Sequence, residues 1–338
     1  MKEGDQMKTL GSAIQISELK LKNRLVMPPM ATESSDEDGN ISEKLLRYYD
    51  EKSRGGYLGM IITEHSFIAA DGKASDRQVS IASDDKLTGL KELTDVIHEN
   101  GVRVACQINH AGGNTRSSIT GYPTMAPSVV LSDGAKFADR SMTHTDIRTV
   151  VQEFADAARR AKKAGFDAVE IHSAHGYLLN EFYSPLINNR TDEYGGNLSW
   201  RIRIHLETIR AVKEAVGKDY PVLIRLGGID DTPGGNGIQD AVEASKAFEQ
   251  AGISLIDISG GITGYVRHNM EQVQGYFSDV SEAVKQAVSV PVLVTGGIND
   301  PHAADRIIRE NKADLVGVGR AILRDSAWPK KALEETET

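Results

Sequence analysis

Eight short apolar runs, each followed by a stretch of helical periodicity, constrain this chain more than any other feature. They begin near Arg24 (RLVMPP), Leu58 (LGMIITE), Val102 (VRVACQI), Asp167 (DAVEIHS), Pro221 (PVLIRL), Ser254 (SLIDIS), Pro291 (PVLVTGG) and Asp314 (DLVGVG). Runs such as MIIT and PVLV are apolar without strict alternation, as parallel strands covered on both faces should be. Residues 145–164 form the clearest helix, with Val150, Val151, Phe154, Ala157, Ala158 and Ala161 on one stripe. Thr145 or Asp146 is its expected cap and Gly165 its terminator. Residues 199–216, 239–251, 279–287 and 301–311 repeat the design. Alternating strand and helix with no break in composition predicts an α/β fold, a single-domain (β/α)8 TIM barrel. At about 150 residues per domain, the 338 residues would suggest two domains, but one barrel also fits that length. A doubly wound open sheet would want a glycine-rich fingerprint after its first strand. The sequence there reads PPMATESSDEDG.

The expected organisation is an N-terminal segment at 1–20, a barrel at 21–329 and a short tail at 330–338. Residues 11–21 (GSAIQISELKL) alternate loosely and predict a hairpin closing the barrel bottom. Two loops, 109–144 after strand three and 176–198 after strand four, are long enough to be functional. With 39 basic against 48 acidic side chains, the chain lacks the basic balance of a nucleic-acid binder. A single cysteine, Cys106, excludes an internal disulfide framework, a four-cysteine zinc site and a cysteine-ligated cluster. No apolar stretch approaches the roughly 20 residues of a membrane span, and the polar first ten residues do not read as a signal peptide. A cytoplasmic protein with no membrane partner is expected.

Polar residues cluster where the strands end. Strand two ends in Thr63, Glu64 and His65, and strand three in Gln107. His172, His175 and Tyr177 follow strand four, and Arg225 ends strand five. Parity along strand four points Ala168, Glu170 and His172 inward and Val169 and Ile171 toward the helices. Active sites of this fold sit at that end. Strands seven and eight run into Gly296-Gly297 and Gly317-Val318-Gly319-Arg320, which read as a phosphate cradle or as tight corners.

Together these residues resemble the old yellow enzyme family of FMN-dependent NAD(P)H oxidoreductases, in its thermophilic-like bacterial branch. The carrying motifs are NRLVMPPM from Asn23, QINHAG from Gln107, HSAHGYL from His172, RTDEYGGN from Arg190, then Arg225 and Gly319-Arg320. The resemblance implies that Pro29, Met30, Ala31 and His65 line the flavin ring, and that Gln107 bonds its pyrimidine side. It places Arg225 where negative charge gathers on reduction, and Gly296, Gly297, Gly319 and Arg320 around the phosphate. His172 and His175 would hold the carbonyl oxygen of an enone or enal, and Tyr177 would protonate Cα. NADH or NADPH would reduce the flavin and leave before the alkene enters, a ping-pong pattern. A homo-oligomer is compatible with the resemblance.

Other readings stand beside these. Arg225 could instead pair with a carboxylate such as Glu170, the H-x-x-H pair could ligate a metal, and Tyr177 could be a core tyrosine. No third metal ligand is evident, so no metal is expected. A flavin module working on dienoyl-type acceptors with an unknown partner is the alternative function. A flavin-free aldolase would need an inward lysine at a strand end, and strands five to seven end in arginine, serine and threonine. The chain departs from the family pattern at Ala31, Glu33 and His65, which predicts a more polar or acidic pocket. Thr32 could stand in for a missing side chain beside the flavin. Nothing after Lys331 matches the arginine that relatives send into a neighbouring subunit, so that contact is not expected.

Overall fold

Period-two alternation sorts the strand residues into an inner and an outer core. A computed structural model describes residues 8–132 and 135–337; the expectations that touch 1–7, 133–134 and 338 lie outside the described residues. The barrel strands are β1 (Leu25–Met27), β2 (Met60–Phe67), β3 (Arg103–Asn109), β4 (Ala168–Ser173), β5 (Val222–Ile229), β6 (Leu255–Gly260), β7 (Val292–Thr295) and β8 (Leu315–Gly317). They pair in sequence order, all parallel, and β8 closes on β1 through Val316 opposite Leu25. The fold is the expected (β/α)8 barrel.

Helices α1 (Glu43–Ser53), α2 (Leu87–Glu99), α3 (His144–Lys163), α4 (Arg203–Val216), α5 (Ile238–Gln250), α6 (Ser278–Ala287) and α7 (Pro301–Arg309) surround it. Outward residues such as Val169, Ile171, Ile224 and Val294 pack on these helices in the larger core. The smaller core lies inside the barrel floor: Ala105, Ala168, Leu223, Leu255, Leu293 and Leu315 meet Ile16, Leu19 and Leu21. Those last three belong to an antiparallel hairpin, Ile14–Ile16 with Leu19–Leu21, which plugs the bottom as its alternation predicted.

Local boundaries shift in three places. Thr143, not Thr145 or Asp146, caps α3: its hydroxyl accepts from the Asp146 N–H while Asp146 bonds back in a capping box. The 199–216 segment is two helices, Leu198–Arg201 and α4. Residues set apart as a tail belong to a helix, Trp328–Thr336, whose Trp328 Nε1 donates to the Asn299 carbonyl. The long loop after β3 carries a short helix (Ser117–Thr120), and the one after β4 begins with a helix at Leu178–Tyr183. No helix among the described residues is long and apolar enough to cross a membrane.

Candidate active site

Above the apolar floor, the next inward residue is polar on five successive strands. Gln107 on β3, Glu170 on β4, Arg225 on β5, Asp257 on β6 and Thr295 on β7 form this layer, all buried except the half-buried Thr295. Gln107 Nε2 donates to Glu170 Oε2 at 2.7 Å. Arg225 Nε lies 3.1 Å from Asp257 Oδ2. The expected alternative partner, Glu170, is therefore replaced by Asp257, which faces Arg225 in strand register. Burial pushes both carboxyls up and the guanidinium draws both back down.

A cavity of about 500 Å³ opens above this layer. Pro29, Met30, Ala31, His65, Gln107, His172, His175, Tyr177, Arg225, Gly296, Gly297, Gly319 and Arg320 all line it, so every expected site residue reaches one space. Sequence reasoning missed Asn114, Ser259, Tyr265, Tyr276 and Thr295 on the same walls. Glu33 is exposed and does not line the cavity, and no Asp or Glu does among the described residues. The expected extra polarity comes from His65 alone.

On one wall the ring centroids of His172 and His175 are 5.2 Å apart, and Tyr177 lies 5.1 Å from His172. His175 adopts a left-handed backbone (φ 60°) beside Gly176 (φ 75°). That strained turn is held by the Asn180 side chain, which accepts the Gly176 N–H at 2.8 Å. Ser259 Oγ lies 2.8 Å from His175 Nε2, so Nδ1 is the nitrogen left for a ligand. Burial holds both imidazoles well below the ordinary range, His172 helped by His175 and His175 by Arg225. They are neutral at pH 7. Burial also raises the Tyr177 phenol, which stays protonated.

Thr32 does not turn toward the cavity. Its N–H donates to Glu64 Oε2 at 2.6 Å and its hydroxyl to Glu64 Oε1 at 3.1 Å, so it does not stand in beside the flavin. Burial lifts Glu64 from its ordinary 4.5 to about 7. Below about pH 4.5 the group is protonated folded or unfolded. Between there and pH 7 the folded state keeps a proton that the unfolded chain has released, so stability falls as pH rises. The stability of Glu64→Gln minus that of the parent is therefore expected to grow from pH 4 to pH 8, by up to about 3 kcal/mol; urea unfolding at both pH values checks it.

The residues fit a flavin phosphate ester. Gln107 Oε1 and His172 Nδ1 are buried at the cavity wall without a partner, whereas such atoms are nearly always hydrogen-bonded. A Cβ on Gly296 or Gly297 would come within 2.7 and 2.5 Å of the Tyr276 ring, and one on Gly319 within 2.7 Å of Met30 Sδ. These glycines line the cavity beside Arg320, where a side chain would not fit. The metal reading gains nothing: among the described residues, three ligating atoms gather only at His144, Asp192 and Glu193, outside the cavity.

Comparison with known proteins agrees. The model of the NADH:flavin oxidoreductase / NADH oxidase family matches residues 10–338. An NADH oxidase of Thermoanaerobacter brockii is 40% identical over 325 residues, 95% of this chain and 50% of its own length. An NADPH dehydrogenase of Clostridium acetobutylicum is 38% identical, covering 93% of this chain and 91% of itself. A 2-naphthoyl-CoA reductase in complex with 2-naphthoyl-CoA superimposes with a TM-score of 0.90 at 27% identity, over 97% of this chain and 52% of that one. The chain thus spans about half the length of the first of these relatives. The model match over nearly the whole chain and the 38% identical dehydrogenase place the chain in the NADH:flavin oxidoreductase / NADH oxidase family.

Proposed function

We propose that this chain reduces the activated C=C bond of α,β-unsaturated carbonyl compounds at the expense of NADH or NADPH. FMN, when bound, supplies the hydride chemistry. Gln107 Oε1 would accept from its pyrimidine edge, Arg225 would offset negative charge on the ring, and Gly296, Gly297, Gly319 and Arg320 would hold the phosphate. The observation that carries the reading is the wall of His172, His175 and Tyr177 on one cavity, with the His172 ring 5.2 Å from His175 and 5.1 Å from Tyr177. Two neutral imidazoles there offer N–H groups to one carbonyl oxygen, polarising the conjugated bond and stabilising the enolate-like transition state. The Tyr177 O–H gives its proton to Cα and is reprotonated from solvent. One cavity serves both nicotinamide and alkene, which predicts ping-pong kinetics.

An anaerobic visible spectrum tests this, taken before and after NADH or NADPH and again after 2-cyclohexenone. The expected result is a yellow protein that bleaches with one nucleotide and recovers with the enone. Bleaching without recovery would overturn the enone reading and keep the flavin. That outcome would favour a second reading, a flavin module that passes electrons to a dienoyl-type acceptor through a partner. Its support is the half-length match to the first relative. Cys106, buried mid-strand, gives this chain no cluster of its own.

A further inference from the structure

His65 sits where β2 breaks register between Thr63 and Ser66, and such a bulge re-aims side chains. Here it sends Glu64 to Thr32 and His65 into the cavity. The proton on the His65 ring can be located by following its hydrogen bonds outward. The Ala74 N–H donates to Gln78 Oε1 at 2.6 Å, which fixes which end of that amide is nitrogen. Gln78 Nε2 then faces His65 and donates to its Nδ1 at 2.7 Å and its carbonyl at 3.1 Å. Asn109 Nδ2 stands 3.4 Å from the same ring nitrogen. Nδ1 is therefore an acceptor. Burial and the Arg225 guanidinium push the imidazole down to about 4, so the ring is neutral at pH 7. Its one proton is on Nε2, the nitrogen left toward the cavity.

That N–H joins an already equipped wall. The His65 ring centroid lies 5.2 Å from Tyr177 and 6.0 Å from His172. A carbonyl oxygen has two lone pairs, which His172 and His175 fill on the function proposed above. A ligand with a second acceptor oxygen would give this third neutral donor a partner of its own. No carboxylate lines the cavity among the described residues to repel one. We propose that His65 is a third N–H donor of the substrate wall and determines specificity, favouring an activating group with two acceptor oxygens, nitro or carboxylate, over a single carbonyl oxygen. The inference rests on reading this cavity as the alkene site.

The test titrates oxidised, FMN-loaded protein with benzaldehyde, nitrobenzene and benzoate, following the visible flavin band. Binding is read without turnover. His65→Ala is expected to weaken nitrobenzene, benzoate or both by about 3- to 10-fold, the usual worth of one neutral hydrogen bond, with benzaldehyde nearly unchanged. Loss for nitrobenzene alone assigns a neutral nitro-type group, and loss for benzoate an anionic one. His65→Gln, which keeps a donor, should restore most of the affinity. Gln78→Glu, which puts an acceptor against Nδ1 and draws the proton there, should reproduce the loss with the ring in place. Equal weakening of all three ligands, or of none, overturns the proposal. So does a ring nitrogen-15 spectrum of the parent showing Nδ1 protonated and Nε2 bare. Failure of the parent to reduce cyclohexenone would sink the enone reading and leave these ligand ratios to decide the role of His65 separately.

Discussion

Tyr177→Phe is expected to slow enone reduction by about 10²- to 10⁴-fold, the usual contribution of a positioned general acid, while bleaching by NADH or NADPH keeps the parent rate. The substitution keeps the ring that packs against both His65 and His172 and removes only the O–H. Because burial raises this phenol, the parent is expected to hold its activity across neutral pH instead of losing it as a histidine acid would. Stopped-flow measurement of the two half-reactions separates the roles. Equal slowing of both halves would show that Tyr177 shapes the cavity and does not donate the proton.

Arg225→Met should cost about 3–5 kcal/mol of stability, the usual result of removing one partner from a buried ion pair. Arg225 and Asp257 are both nearly inaccessible, and Glu170 sits beside them with a second buried carboxyl. Without the guanidinium both raised carboxyls lose their opposing charge, and only the hydrogen bonds from Gln107 and Thr295 still draw them down. Each would then bind a proton in the folded state that the unfolded chain has released at neutral pH. The loss is therefore expected to be greatest near pH 8 and to shrink as pH falls and both groups protonate folded and unfolded. Denaturant unfolding at pH 8 and pH 5 measures it. A pH-independent loss would mean that packing, not charge, holds the layer together.

Much of this site was legible because strand parity and strand ends carry physical information. Once β4 is read as alternating, Glu170 and His172 have to point inward, and the hairpin's apolar positions have to find a floor to cover. Asp257 carried a usable signal that went unread: one charged residue inside LIDIS, matching Arg225 one strand away. Thr32 and Glu64 could not be paired from sequence, because a bulge in β2 decides where Glu64 points. Ser259, Tyr265 and Tyr276 belong to the end of β6 and the loop beyond it, where single hydroxyls among glycines look like any turn. Their meaning arises only from neighbours far along the chain, as when Tyr276 packs over Gly296 and donates its hydroxyl to the Tyr265 carbonyl.

The hairpin and the β8–β1 seam also set an order of events during synthesis. Leu10 donates its N–H to Asp305, 295 positions away, and Arg24 reaches the Asp314 carbonyl across 290. The segment before β1 therefore has no home until almost the last barrel strand has emerged. Until then the nascent sheet has two open edges and an uncovered apolar floor, the state in which parallel sheets are slow to form and prone to stick to one another. A translational pause before β8 would prolong that exposure, and a nascent chain halted there should be a preferred client of chaperones that bind unpaired strands.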